Sequence, residues 1–168
     1  MEKSNSLVKA TSQFAECVVL ISASHDGKEN VMPATWCVPV SHYPTMILVN
    51  ISPERYTHDM VKKSKEFGAN LLAEGQVGLS RFAGGCSGED KEKLKMGEFE
   101  VFGGEKIRAP LIKGCVANLE CKVVNEVKAG DHTIFVGQVL NFYHDELKRP
   151  LVLFRGGYHK LGPSMGGY

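Results

Sequence analysis

The chain of 168 residues is short of net charge, of pairable cysteines and of long apolar runs. Its 20 Lys+Arg balance 19 Asp+Glu to a formal charge of +1, so no overall field draws in a polyanion, and neither nucleic acid nor an anionic membrane is expected as a partner. The five cysteines (Cys17, Cys37, Cys86, Cys115, Cys121) are odd in number, include no C-x-x-C pair and have no histidine at zinc-finger spacing. Free thiols in a reducing cytoplasm fit that pattern better than a disulfide framework or a metal site. Cys115 and Cys121 would lie about 20 Å apart in one extended strand at roughly 3.3 Å per residue, which excludes a bridge between them there. The six histidines (His25, His42, His58, His132, His144, His159) are scattered without ligand spacing, so no metal is expected, and no Ser-His-Asp order stands out. Neither G-x-x-x-x-G-K-[ST] nor G-x-G-x-x-G occurs, which removes the P-loop and the dinucleotide-binding fingerprint. The N-terminal MEKSNSLVKATSQFAE has no apolar h-region and no run approaches a membrane span, so a soluble, cytoplasmic protein is expected.

What is present is enough for a real core. At 43% hydrophobic content one domain over 1–168 is expected, with 1–13 and 160–168 as candidate flexible extensions. Cys17 to Ala23 reads as a strand, turned by Asp26-Gly27 into a second strand from Val31. Met46 to Ile51 is a third strand. His58 to Phe67 reads as a helix with Thr57 as N-cap, Gly68 at C′ and Lys62, Lys63 and Lys65 suiting its C-terminal dipole. A strand over Asn70–Ala73 and short helices over Gln76–Phe82 and Glu89–Met96 follow, the latter opened by a Ser87/Asp90 capping box. Phe99 to Ala109 has no period and reads as a loop. The strongest β signal lies in Cys115–Val127, where Ala117, Leu119, Cys121 and Val123 alternate with Asn118, Glu120 and Lys122, and in Thr133–Phe142 after the Ala129-Gly130-Asp131 turn. Leu151–Phe154 makes a last strand. Six or seven strands with short helices between them predict a mainly β, small antiparallel barrel.

The segment Asn30 to Thr57 carries the chemistry. Pro33, Ala34, Thr35, Pro39, Ser41 and Pro44 avoid helix and leave peptide groups for a flat ligand, and Ile47–Ile51 follows as a buried strand. Ser52, Arg55 and Thr57 then bring a hydroxyl, a guanidinium and a helix N-terminus together, a set that suits a phosphate. On residue types alone, helix capping by Ser52 or Thr57 and a solvated Arg55 is the commoner role. Trp36, the only tryptophan, serves either core packing or the wall of a flat ligand, and Cys37 reads as a buried filler.

These fragments have a collective likeness. Gly27 with Asn30, TWCVPVS at 35–41, Pro44, SPERYT at 52–57, FGAN at 67–70, SGEDKEKL at 87–94, APLI at 109–112, LEC at 119–121 and GDHTIFVGQV at 130–139 stand in an order that resembles the flavin reductase-like, FMN-binding split-barrel family from about Phe14 to His159. The resemblance implies a Greek-key split barrel holding FMN at a homodimer interface, with NAD(P)H or a redox protein as electron donor. It implies backbone contacts to the ring from Ala34, Thr35, Trp36 and Cys37, and phosphate contacts from Arg55 and Thr57 with Ser52 close by. Ser87 and Gly88 form a second cofactor motif, with Lys93 neutralising a phosphate or pairing with Asp90. His132 falls where the family often carries a histidine near flavin or nicotinamide, and a secondary catalytic role is expected of it. Gln138 departs from the glutamate expected after Gly137. The activity implied is an FMN-dependent oxidoreductase; the alternative is a flavoredoxin-type electron carrier without its own nicotinamide substrate. The glycine-rich tail at Gly156–Gly162 either folds over the cofactor with Tyr158 or frays.

Overall fold

The computed structural model describes residues 6–89 and 91–167. Among these residues twelve strands and three α-helices follow in the order β1 Glu16–Cys17, β2 Val19–His25, β3 Lys28–Ala34, β4 Cys37–His42, β5 Thr45–Ile51, α1 Tyr56–Ser64, β6 Glu66–Leu71, α2 Val77–Gly84, α3 Lys93–Met96, β7 Val101–Phe102, β8 Leu111–Ile112, β9 Ala117–Ala129, β10 His132–His144, β11 Leu151–Phe154 and β12 Gly157–Lys160. Seven of the strands form one antiparallel sheet in the order β3-β2-β6-β9-β10-β5-β4. Its two terminal strands are consecutive in sequence and separated only by Thr35 and Trp36. The sheet therefore has to curl until its edges meet at that link, which gives the split antiparallel barrel. Each edge strand carries a proline, Pro33 or Pro39, which a central strand would not tolerate.

The barrel interior is filled by Val19, Ile21, Val49, Ile51, Phe67, Cys121 and Phe135 from the sheet and by Met60 and Val61 from α1. A second cluster, with Val18, Leu20, Leu72, Ile112 and Leu151, packs α2 and the β11–β12 hairpin against the other side. No helix among the described residues is long and apolar enough to cross a membrane.

Several expectations need correcting. The helix starts at Tyr56 and ends at Ser64, where Lys65 takes φ 59° and its N–H closes on the Val61 carbonyl at 2.9 Å. Gly68 is thus no helix cap. It lies inside β6, and a Cβ there would sit 2.3 Å from Ser22 Oγ, so the glycine permits close strand packing. The second strand begins at Lys28, and the stretch around Pro39 is an edge strand rather than open loop. On β9 the expected outward residues Asn118 and Glu120 are buried, because the 103–112 segment covers that face of the sheet. The second short helix shrinks to Lys93–Met96, and Asp90, with its capping box, lies outside the described residues. The tail turns back at Arg155–Gly156 as β12, and Tyr158 bonds Ser80 Oγ at 2.9 Å beneath Arg81.

Candidate functional site

Two adjoining hollows line the split in the barrel. One, of about 480 Å³, lies between Arg55 and Thr57 of the α1 start, Asn30 and Pro33 of β3, the 83–88 segment and Lys93. The other, of about 350 Å³, lies between the Met32–Trp36 run, Asn50, Ser52, Asp131 and His132. Met32, Pro33, Glu54 and Arg55 border both, so the two hollows form one groove. The residues after Pro33 and the cation at position 55 thus share one surface. Arg55, Thr57, Ser87, Gly88 and Lys93 gather at one end, and Ala34, Thr35, Trp36, Ser52 and His132 at the other.

At the first end the helix begins earlier than its sequence suggested. Arg55 N–H bonds the Ser52 carbonyl at 3.0 Å and His58 N–H bonds the Arg55 carbonyl at 2.8 Å, which makes Arg55 the N-cap residue, with no side-chain cap. Thr57 consequently lies in the first turn, buried, and its Oγ1 accepts from Asn30 Nδ2 at 2.8 Å. The Arg55 guanidinium has no ion pair or hydrogen bond recorded among the described residues and is exposed at the groove. Lys93 is buried, with Nζ donating to the carbonyls of Val31 at 3.0 Å and Ala83 at 2.6 Å, so it fastens the 83–88 segment to the free edge of β3. Burial pulls its pKa below the ordinary value and Arg55 pulls the same way against the nearby Cys86. An anion between these two cations would relieve both effects. Pairing of Lys93 with Asp90 lies outside the described residues. Ser87 Oγ accepts from Glu89 N–H at 3.1 Å, which shapes the turn rather than capping a helix.

Within the 34–37 run of the other end only Thr35 and Trp36 stand outside the ladders. The Cys37 amide, expected to face a ligand, donates instead to the Thr35 carbonyl at 2.8 Å, and Cys37 borders neither hollow. Its side chain packs on the barrel core, where burial foremost, with Cys17 second, pushes the thiol up to about 12. Trp36 and His132 lie side by side, ring centroids 5.0 Å apart and tilted by 46°. His132 Nδ1 is tied to Asp131 Oδ1 at 2.7 Å, a bond that holds the Asp131 carboxyl below its ordinary range.

Two asparagines complete the groove and were not singled out as site residues from the sequence. Asn30 borders the anion end and Asn50 the Trp36 end, and each keeps a buried Oδ1 with no hydrogen-bond partner among the described residues. An unpaired buried acceptor costs about 1–3 kcal/mol, so a ligand carrying N–H or O–H donors would be favoured at both places. The available signal was a polar residue inside a β-rich run, which alone does not separate a site residue from a solvated one.

The family model described as flavin reductase like domain matches residues 11–162. An uncharacterized protein of Archaeoglobus fulgidus is 40% identical over 122 residues, 71% of this chain and 67% of its own length. An NADH-dependent flavin reductase of a Rhodococcus species is 29% identical over 159 residues, covering 92% of this chain and 85% of that protein. The crystal structure of flavoredoxin from Methanosarcina acetivorans superposes with a TM-score of 0.85 at 29% identity, covering 99% of this chain and 93% of that one.

Proposed function

The chain belongs to the flavin reductase-like family, and we propose that it is an oxidoreductase that binds FMN in the split groove and passes hydride or electrons from a reduced donor, NAD(P)H, to an acceptor. The observation that carries this reading is the continuity of the groove from the Trp36–His132 pair to Arg55 and Thr57. The residues fit such a ligand: a cation with no partner among the described residues, a helix N-terminus and a hydroxyl for the phosphate, and two orphaned acceptors for its hydroxyl and N–H donors. Met32, Pro33 and Trp36 offer apolar surface to a flat ring.

When bound, FMN supplies the ring that takes up a hydride and releases its electrons. The protein's share is position and charge. The amides of Thr35 and Trp36, outside both ladders, are donors for the ring's oxygens, and Ala34 sets their place as the last residue of β3. Arg55, Thr57 and Lys93 hold the phosphate, with Ser52, Ser87 and Gly88 shaping the groove around it. His132 closes the groove beside Trp36, a secondary role since its Nδ1 is occupied by Asp131. Val38 and Val40 of the edge strand and Leu140 and Phe142 of β10 are exposed apolar residues, and a hollow formed by Phe14, Trp36, Val38 and Leu48 continues the groove outward. A second copy of the chain over this face would exclude water from the ring.

The absorbance spectrum of the purified protein with added FMN or FAD, followed by anaerobic mixing with NADH or NADPH, tests the reading. Rapid bleaching of bound flavin is expected, and a protein that ignores both flavins would overturn it. The likeness to flavoredoxin over nearly the whole chain favours a second reading, an electron carrier, in which bleaching comes only from dithionite or a partner protein.

A further inference from the structure

We propose that Asn30 is a positioning residue that commits the Thr57 hydroxyl to donate to a ligand phosphate, and so sets a preference for phosphorylated over unphosphorylated flavin. The inference rests on the reading of the groove as a flavin site. Asn30 is 1% exposed, and its Nδ2 reaches from β3 to Thr57 Oγ1 on α1 at 2.8 Å. A hydroxyl has one proton and two lone pairs. With a lone pair taken by an amide N–H, the proton is left to donate. A threonine inside a helix commonly gives that proton to the carbonyl four residues back. Here no acceptor for it is recorded among the described residues, and Thr57 borders the groove next to the unpaired Arg55. The donor is therefore available where an anion would sit.

The amide is held in place by packing as well as by its bond. Gly88 lies flat against it, so a Cβ at position 88 would come within 2.1 Å of Asn30 Oδ1 and 2.4 Å of Cγ. Among the described residues Oδ1 has no hydrogen-bond partner. Asn30 thus borders the ligand with a free acceptor while its donor is spent on Thr57, an arrangement that a solvated or purely structural asparagine does not require.

The test compares dissociation constants for FMN and riboflavin, read by quenching of flavin fluorescence, in the wild type, Asn30→Ala, Asn30→Asp, Thr57→Val, Thr57→Ser and the Asn30→Ala/Thr57→Val double variant, with the thermal melt of each apo-protein. Because both ligands share the ring and the ribityl chain, their ratio isolates the phosphate. Asn30→Ala is expected to lower the FMN preference about tenfold, as loss of an oriented bond to a charged group does, and Thr57→Val at least as much. The double variant should match Thr57→Val alone, and Thr57→Ser should keep the preference. Asn30→Asp, nearly isosteric, turns the donor into an acceptor and should lower the ratio further. Equal loss of both ligands in the Asn30 variants, or effects that multiply in the double variant, would overturn the inference while leaving the flavin site standing. A wild type that binds neither ligand overturns the flavin reading itself.

Discussion

Substitution of Glu120 by Gln should destabilise the fold by about 3–5 kcal/mol while sparing ligand binding. Glu120 lies on β9, fully buried. Its Oε2 accepts from the N–H groups of Lys106 at 2.6 Å and Ile107 at 3.0 Å, and its Oε1 from Glu105 N–H at 3.1 Å, Asn141 Nδ2 at 3.0 Å and Tyr143 Oη at 3.2 Å. A glutamine best places its NH₂ on the Oε1 side, where Asn141 can flip and the Tyr143 hydroxyl can rotate to accept. The Glu105 N–H then faces another donor, at about 1–3 kcal/mol, and the two bonds on the other side each lose about 1 kcal/mol of charge assistance. Thermal melts at neutral pH should show a fall of about 6–20 °C, taking about 2–4 °C per kcal/mol at this size. Burial alone would raise the Glu120 pKa, yet the bonds from Lys106, Glu105, Asn141 and Ile107 outweigh it and lower the pKa from 4.5. The wild-type advantage is therefore complete above that ordinary value and disappears as pH falls through the lower folded one. A Glu120→Gln protein within 1 kcal/mol of wild type at pH 7, on the order of the smallest cost above, would refute this account of the buried network.

Three further outcomes test the groove. Arg55→Ala should weaken FMN by about 1.5–3 kcal/mol, the scale of a charge-assisted hydrogen bond, and leave the apo-protein melt unchanged because the side chain is exposed and has no partner among the described residues; equal affinity in calorimetry would exclude Arg55 from the phosphate site. Burial lowers the Lys93 pKa from 10.5 and a bound phosphate would raise it again, so FMN binding should take up protons in alkaline buffer and weaken as pH rises through the lowered value. Calorimetry in buffers of different ionisation enthalpy would detect that uptake, and its persistence in Lys93→Met would rule Lys93 out. Finally, emission from Trp36, the only tryptophan, should fall on FMN addition, and an unchanged emission in a protein that visibly binds flavin would move the ring elsewhere.

The fold was legible wherever local chemistry decides it. Asp26-Gly27 takes positive φ at both residues and closes the first hairpin, as that pair predicts, and the β9–β10 hairpin forms around its Gly130 turn. Legibility failed where tertiary pairing overrode local preference. Glu66 and Phe67 continue a helical pattern, yet they pair with Lys122 and Cys121 of β9, and the helix stops at Lys65 to allow it. Asn118 and Glu120 read as outward polar residues because the loop that buries them has no periodicity of its own.

The candidate site divides along the same line. Arg55, Thr57 and the 33–36 link come from one continuous stretch, so their proximity follows from the β4–β5 hairpin and the helix start behind it. Asn30 needs a contact across 27 residues to Thr57, and the orphaned oxygen of Asn50 appears only when β5 is seated between β4 and β10. Sequence order thus finds the groups that carry charge, while the groups that orient them emerge from the curl of the sheet. Because Asn30 lies on β3 and Trp36 on the link that joins β3 to β4, a slip of β3 would move Asn30 away from Thr57 and Trp36 away from His132 together. Both ends of the groove therefore depend on one closure of the barrel, and ligand binding should be lost at both ends at once when that closure is disturbed.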